Sequence, residues 1–320
     1  MNTASDALRP RSLDEFGGQP DLVRDLRILL GAANNRGQLC DHVLLSGPPG
    51  LGKTTLSSLI AAELRVPLVT TTAPALAKPG DVAALLSSLR EPSVVFIDEI
   101  HALPVKAEEI LYPALEDGVL DLVVGEGSKS RSLRIALSPF VLVGATTASG
   151  QLSAPLRDRF GFQGRLKLYD ESDLAAIVTR SARLLGVNCD DDAALVIAGR
   201  SRGTPRVANR WLRRVRDWAQ VNGIDSVNSE VATTALEAFG VDVLGLDELG
   251  REILLSLISQ FGGGPVGVST LAAAVGESPN TLEEVYEPHL MRAGLLARTP
   301  RGRIATDAAW LHLGLGVPSR

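Results

Sequence analysis

The stretch Gly47-Pro48-Pro49-Gly50-Leu51-Gly52-Lys53-Thr54 constrains this chain more than any other. It fits the spacing G-x-x-x-x-G-K-[ST]. Glycines let backbone N–H groups turn inward around phosphate oxygens, the lysine reaches the terminal phosphates and the hydroxyl meets Mg²⁺. Such a loop works between a strand and a helix, because the helix N-terminus lends its partial positive charge to the same oxygens. Both flanks are present. Val43-Leu44-Leu45 is a short apolar run before the loop, and a helical pattern runs from Lys53 to about Leu64. A glycine-rich turn matching by chance is the far weaker reading. The expected ligand is ATP or ADP with Mg²⁺, with Gly50, Gly52, Lys53, Thr54 and Thr55 at the phosphates.

The same rhythm continues through the first half. A helix is predicted over 20–36, with Leu22, Leu26, Leu29 and Leu30 on one face. Residues 67–72, 94–97 and 141–145 read as strands, and 80–89 and 106–116 as helices. Fully apolar strands alternating with helices give a parallel sheet covered on both faces, so the fold class is α/β. One segment breaks the pattern: 120–124 and 132–137 flank Gly125-Glu126-Gly127-Ser128 and read as an inserted β-hairpin. Leu122, Val123, Val124 and Ile135 have little core if it projects; a hairpin folded onto its own domain stands equally open.

After Leu168 the strand signal stops. Helices are predicted at 171–186, 190–200, 205–222 and 228–239, the third opening on Pro205. Beyond Leu246, helices at 247–260, 269–275 and 280–293 precede two short strands around Thr299-Pro300-Arg301-Gly302, the outline of a winged helix. The expected division is 1–169, 170–241 and 242–320.

Asp98 and Glu99 close the strand 94–97, at the carboxyl end where open α/β sheets bind ligands. Asp98, with Thr54, is the expected Mg²⁺ ligand, and Glu99 is placed to orient or deprotonate an attacking water. His101 reads as structural rather than catalytic. Thr146 ends the next apolar strand and can feel a γ-phosphate, although threonine often ends strands. Arg159 and Arg206 are two candidates for the positive charge that phosphoryl transfer uses; a surface salt bridge is the competing reading for each.

The net charge of −5 excludes a globally basic nucleic-acid binder but not a local patch. Only five of the 32 basic side chains are lysines, so the one at position 53 stands out. Seven arginines fall within 200–216 and four, at 292, 298, 301 and 303, within 288–306, with no acid in either stretch. The second run sits on the predicted wing, where it suits DNA backbone contacts; a solvated basic face is the alternative. Cys40 and Cys189 lack metal spacing, and no apolar run approaches the roughly 18 residues needed to cross a bilayer, so a soluble cytoplasmic chain without membrane contact is expected.

Together these landmarks resemble the RuvB family, ATPases that drive branch migration of Holliday junctions. The stretches that carry the resemblance include Leu8-Arg9-Pro10, GPPGLGKTT at 47–55, FIDEIH at 96–101, ILYPALED at 110–117 and GATT at 144–147. LSAPLRDRFG at 152–161, RSRGTPRVANR at 200–210, FGGGPVG at 261–267 and RTPRGR at 298–303 complete it. The loop alone is shared by many NTPases, whereas its combination with the last two stretches is specific.

The resemblance spans about residues 8–314. It implies an AAA+ P-loop domain with an inserted hairpin, a helical lid and a C-terminal winged helix. It also implies a homohexameric ring around duplex DNA, with ATP between subunits. Arg159 is then similar to the arginine finger aimed at a neighbour's ATP, Arg206 to the sensor-2 arginine and Thr146 to sensor 1. Leu8, Arg9, Glu116, Asp117 and Tyr169 fall at nucleotide-binding positions. The hairpin 118–138 is similar to the element that docks a RuvA-type protein, a RuvC-type resolvase is the further partner, and Arg298, Arg301 and Arg303 match the DNA-contacting wing. Three departures stand out: Ala102 where arginine is usual, Thr72-Ala73-Pro74, and Gly161-Phe162-Gln163-Gly164. The runner-up reading is an AAA+ replication initiator or clamp-loader-like DNA switch.

Overall fold

A computed structural model describes residues 7–124 and 131–318 of the chain. It divides into two compact units: 1–173 with 204–206, and 174–203 with 207–320.

In the first unit, helix α1 (Pro20–Arg36) buries Leu22, Val23, Leu26, Leu30 and Ala33, a stripe at helical spacing, and ends where Gly37 adopts φ 64°. Strand β1 (Val43–Ser46) leads through the glycine loop into α2 (Lys53–Leu64). Then come β2 (Leu68–Thr72), α3 (Pro79–Ser87), β3 (Ser93–Asp98) and α4 (Val105–Glu116). The antiparallel pair β4 (Val119–Val124) and β5 (Arg131–Ala136) precedes β6 (Phe140–Thr146), the short α5 (Ala154–Arg157) and β7 (Phe162–Arg165).

Five strands form one parallel sheet in the order β2-β3-β6-β1-β7. Strand β6 is buried along its whole length and β3 along all but its last residue, which is why both read as unbroken apolar runs. Side chains from one sheet face, among them Leu44, Val95, Ile97 and Leu142, pack with Leu86, Leu111 and Phe160. Burying each such residue contributes about 1.5–3 kcal/mol. The register sets Ser46 opposite Thr146 and Ile97 opposite Gly144, so the carboxyl ends of β1, β3 and β6 finish level on one sheet edge.

The β4–β5 pair stays outside that sheet. Its base is nonetheless docked: Leu120 is fully buried in the core, and Ile135, opposite it in the ladder, packs against the same cluster. Ile135 therefore does not lack a core, while Leu133 is half exposed. The side chains of Leu122, Val123 and Val124, and the tip 125–130, lie outside the described residues. Strand β7 has no clear signal in Phe162-Gln163-Gly164-Arg165; it pairs on one side only, with β1. Gly164 is required there, since a β-carbon would sit 2.6 Å from Leu22.

The second unit holds most of α6 (Glu171–Leu184), then α7 (Asp191–Gly199), most of α8 (Pro205–Val221) and α9 (Ser229–Ala238). Asp190 and Asn228 cap α7 and α9 through their side chains. On α8, Ala208, Trp211, Leu212, Val215 and Ala219 form one buried stripe. This region is not wholly helical: β8 (Asn188–Cys189) and β9 (Ser226–Val227) make a two-residue parallel pair, too short to register as periodicity. The winged region holds α10 (Glu248–Ser259), α11 (Val268–Ala274), α12 (Pro279–Thr281), a wide turn over Leu282–Tyr286, α13 (Glu287–Arg292), strands β10 (Leu296–Thr299) and β11 (Gly302–Ala305), and α14 (Asp307–His312). A bridge from Val266 to Arg303 ties the wing to the segment before α11.

His289 on α13 sits 2.8 Å from the Leu244 carbonyl through Nε2, while its Nδ1 is buried without a hydrogen-bond partner. Nε2 thus carries the proton, and protonating Nδ1 as well would leave a second donor unmet. Burial lowers the imidazole pKa to about 4. The unfolded chain, with an ordinary pKa near 6.5, binds that proton first, so stability is full above about pH 6.5 and is lost as pH falls toward 4. Thermal melts at pH 7.5 and pH 5 are expected to differ by of order 1 kcal/mol more in the wild type than in His289→Gln.

Candidate nucleotide site

The glycine loop sits at the level sheet edge. Gly47, Gly50 and Gly52 take φ of 139°, 82° and 105°, where side chains are strained. Gly47 has a second reason, since a β-carbon would meet the Leu166 carbonyl oxygen at 2.5 Å. Its N–H donates to the Thr146 carbonyl at 3.1 Å, which joins the loop to the end of β6. The first turn of α2 has no acid and no side-chain cap, leaving its positive end available to an anion.

Lys53 is 7% exposed and folds back over the loop, donating from Nζ to the carbonyls of Gly47 at 2.7 Å and Pro48 at 3.1 Å. Burial lowers its pKa; the charges of Glu99 and Asp98 oppose that, and Arg206 adds to it. Lys53, the acid pair and Arg206 therefore share one electrostatic neighbourhood. Arg206 reaches it through the backbone as well, its N–H donating to Gly50 O at 3.3 Å. Tyr169 is buried and donates its hydroxyl to Leu51 O at 3.2 Å, with burial raising the phenol pKa. Leu8 is buried, whereas Arg9 is exposed.

Glu99 follows β3 with φ 50° and ψ 44°, a left-handed conformation uncommon for a side chain of this kind and of a sort that clusters at functional sites. Its Oε2 accepts from Thr147 Oγ1 at 3.0 Å and lies 3.3 Å from His101 Nδ1. The same His101 nitrogen is 2.9 Å from Thr146 Oγ1. Glu99, His101, Thr146 and Thr147 thus form one polar cluster at the ends of β3 and β6. Sequence reasoning set His101 aside and passed over Thr147. The contacts come from the parallel register, which brings Glu99 and His101, the first and third residues after β3, against Thr146, which ends β6, and Thr147, which follows it; spacing within either segment does not report this.

The hydroxyl of Thr54 and the carboxylate of Asp98 are hard oxygen donors of the sort Mg²⁺ prefers. Among the described residues Asp98 Oδ1 accepts only the Glu99 N–H and Thr54 uses its carbonyl, not its hydroxyl, as an acceptor, so both side chains have capacity for a cation. Thr55 is half-buried in the first turn of α2.

Arg159 is held elsewhere. Nη1 donates to Pro155 O at 2.6 Å, Nη2 pairs with Glu116 Oε1 at 2.9 Å, and the guanidinium lies 4.4 Å from the Tyr112 ring centre. Its Nε is buried without an acceptor, a state that costs about 1–3 kcal/mol. Glu116 ends α4 and pairs with this arginine, and Asp117 is the capping residue that follows it.

The arginine-rich stretches find acids and rings in space that they lack in sequence. Arg200 and Arg202 are buried: Arg200 donates to Val241 O at 3.3 Å, and Arg202 pairs with Asp247 at 3.0 Å. Arg210 stacks on Trp211 and Arg214 on Phe239. The first run is therefore divided: Arg200 and Arg202 are buried in internal contacts, while Arg206, Arg210 and Arg214 are exposed. On the wing, buried Arg303 pairs with Glu287 and Glu283 at 2.6 Å each, and Arg298 pairs with the same two acids. Arg301, at the turn between β10 and β11, is exposed and its guanidinium has no partner among the described residues.

Three family models match in succession: the Holliday junction DNA helicase RuvB P-loop domain over residues 8–166, the RuvB AAA lid domain over 169–242 and the RuvB C-terminal winged helix domain over 243–314. The Holliday junction branch migration complex subunit RuvB of Nocardia farcinica is 58% identical over 312 residues, 98% of this chain and 87% of that protein. The protein of the same name from Corynebacterium jeikeium is 56% identical, covering 98% and 88%. Among solved structures, the Thermotoga maritima RuvB Holliday junction branch migration motor superimposes with a TM-score of 0.88 at 49% identity, over 98% of this chain and all of that one. Matched along its length in sequence and in fold, with the glycine loop and acid pair in place, the chain belongs to the RuvB family.

Proposed function

We infer that this chain is an ATP-driven DNA motor that moves Holliday junctions during recombination and repair. The observation that carries this is a hydrolytic set gathered at one sheet edge, together with an arginine held away from it on Glu116, Tyr112 and Pro155. ATP binds at 47–54, with Leu8, Arg9, Thr55 and Tyr169 around it and Arg206 at its phosphates. Mg²⁺, held by Thr54 and Asp98, supplies charge neutralisation to the phosphates. Glu99 takes the proton of the attacking water, and Thr146 senses the γ-phosphate. Arg159, with Glu116 and Asp117, serves the ATP of the next subunit, which calls for a ring, a hexamer by family analogy.

The chain works as a P-loop domain (1–169), a lid (170–241) and a winged helix (242–320). The wing meets the duplex backbone, Arg301 directly, with Arg298 and Arg303 anchored on Glu283 and Glu287. The hairpin 118–138 docks a RuvA-type protein, and a RuvC-type resolvase completes the assembly in the cytoplasm. Among the described residues no helix is long and apolar enough to cross a membrane.

ATP turnover measured with a four-way junction, with linear duplex and without DNA, beside a footprint, tests this reading. Stimulation by DNA without sequence preference is expected. A strongly sequence-specific footprint with slow turnover indifferent to junctions would instead favour an initiator. Arg301→Ala is expected to weaken binding to all sequences alike and to flatten the slope of log affinity against log salt by about one.

A further inference from the structure

Helix α4 carries Glu108, Tyr112 and Glu116 at intervals of four residues, and all three lead to Arg159. Resting on the reading of Arg159 given above, we propose that Tyr112 is a positioning residue for phosphoryl transfer. Its ring is the platform that fixes the Arg159 guanidinium for a neighbouring subunit's ATP.

A cation over an aromatic face is attracted by the ring's negative centre, and the 4.4 Å separation lies well within that range. The ring is itself held in place. The Tyr112 hydroxyl donates to Glu108 Oε2 at 3.2 Å, one turn back on the same helix face. Glu108 is only 4% exposed, and a carboxylate so placed needs hydrogen-bond donors to remain there. Its second donor is Ser153, whose hydroxyl reaches the same oxygen at 2.6 Å. Ser153 in turn caps α5, accepting from Leu156 N, and α5 leads into Arg159.

One buried carboxylate therefore ties both the ring beneath the arginine and the root of the segment that carries it. The third member of the stripe behaves differently. Glu116 is 57% exposed, so its pair with Arg159 is weak and yields readily to a phosphate. Glu108 and Tyr112 hold the arm, and Glu116 occupies its tip until the neighbour's nucleotide arrives. A platform that restricts the arginine's rotamers in advance acts on the chemical step, not on the subunit's own nucleotide binding.

Steady-state hydrolysis and fluorescent-ADP binding by the full chain, for wild type, Tyr112→Leu, Tyr112→Phe and Arg159→Ala, test this. Tyr112→Leu is expected to lower kcat about three- to thirtyfold, the span of cation–π interactions from exposed to desolvated. Its ADP affinity should stay within about twofold, and Tyr112→Phe, which keeps the ring face, should recover most of the rate. In rings mixed with wild type, Tyr112→Leu placed in a Glu99→Gln subunit should slow the wild-type neighbours. Wild-type turnover by Tyr112→Leu alongside an inactive Arg159→Ala overturns the platform alone, whereas full activity of Arg159→Ala overturns the finger reading. Equal losses in Leu and Phe, or a matching loss of ADP affinity, also overturn the proposal. If Tyr112→Leu does not fold, Tyr112→Met, flexible and of similar length, carries the same expectations.

Discussion

Arg159→Ala subunits are expected to bind ATP and ADP as wild type does and to hydrolyse ATP at least about a thousandfold more slowly, the usual worth of an arginine that stabilises a phosphoryl-transfer transition state. The structure supports the split between binding and turnover. Arg159 bonds to Pro155 and Glu116 and stacks on Tyr112, with no bond to the loop, so removing it leaves the subunit's own phosphate cradle intact. The defect should therefore pass to the neighbour. In rings mixed from Arg159→Ala and Glu99→Gln subunits, each inactive alone, turnover should reappear, because a Glu99→Gln neighbour lends its arginine to an intact Arg159→Ala site. No turnover in such mixed rings would place Arg159 in its own subunit's site.

The second large effect is at Glu99. Glu99→Gln keeps the size and hydrogen-bonding shape of the side chain, so the bond from Thr147 can persist and the left-handed turn after β3 stays filled. It removes the basic oxygen, and a loss of about a hundred- to ten-thousandfold in kcat is expected, with ATP held unhydrolysed. Rapid-quench measurement of the chemical step, beside equilibrium ATP binding, separates the two. A variant that turns over normally would mean that the water is activated by another group, and His101, 3.3 Å away, is then the first to test.

These expectations draw unequally on sequence and structure. The glycine loop, the acid pair and the sheet strands were legible because each is local: a fixed spacing, or an apolar run that only a doubly covered strand explains. Strand β7 was not, since Phe162-Gln163-Gly164-Arg165 offers one apolar residue and a glycine, and its pairing with β1 is set by the neighbouring strand. The cluster of Glu99, His101, Thr146 and Thr147 depends on register between β3 and β6, which no spacing within either strand reports.

Charge was the most misleading signal. Two arginine stretches with no acid inside them read as basic in sequence, yet Arg202 meets Asp247 and Arg303 meets Glu287, respectively 45 and 16 residues distant in the chain. Arg159 taught the reverse. Its environment was not legible, but the i,i+4 stripe Glu108-Tyr112-Glu116 that supports it was present in the sequence throughout.

The most direct test is movement of a synthetic four-way junction by the full chain with ATP and a RuvA-type protein, measured against Glu99→Gln under the same conditions. The account predicts strand exchange that requires ATP, is lost in Glu99→Gln and is lost when the non-hydrolysable analogue replaces ATP. Active hydrolysis at this site without any junction movement, or movement that continues in Glu99→Gln, would contradict it.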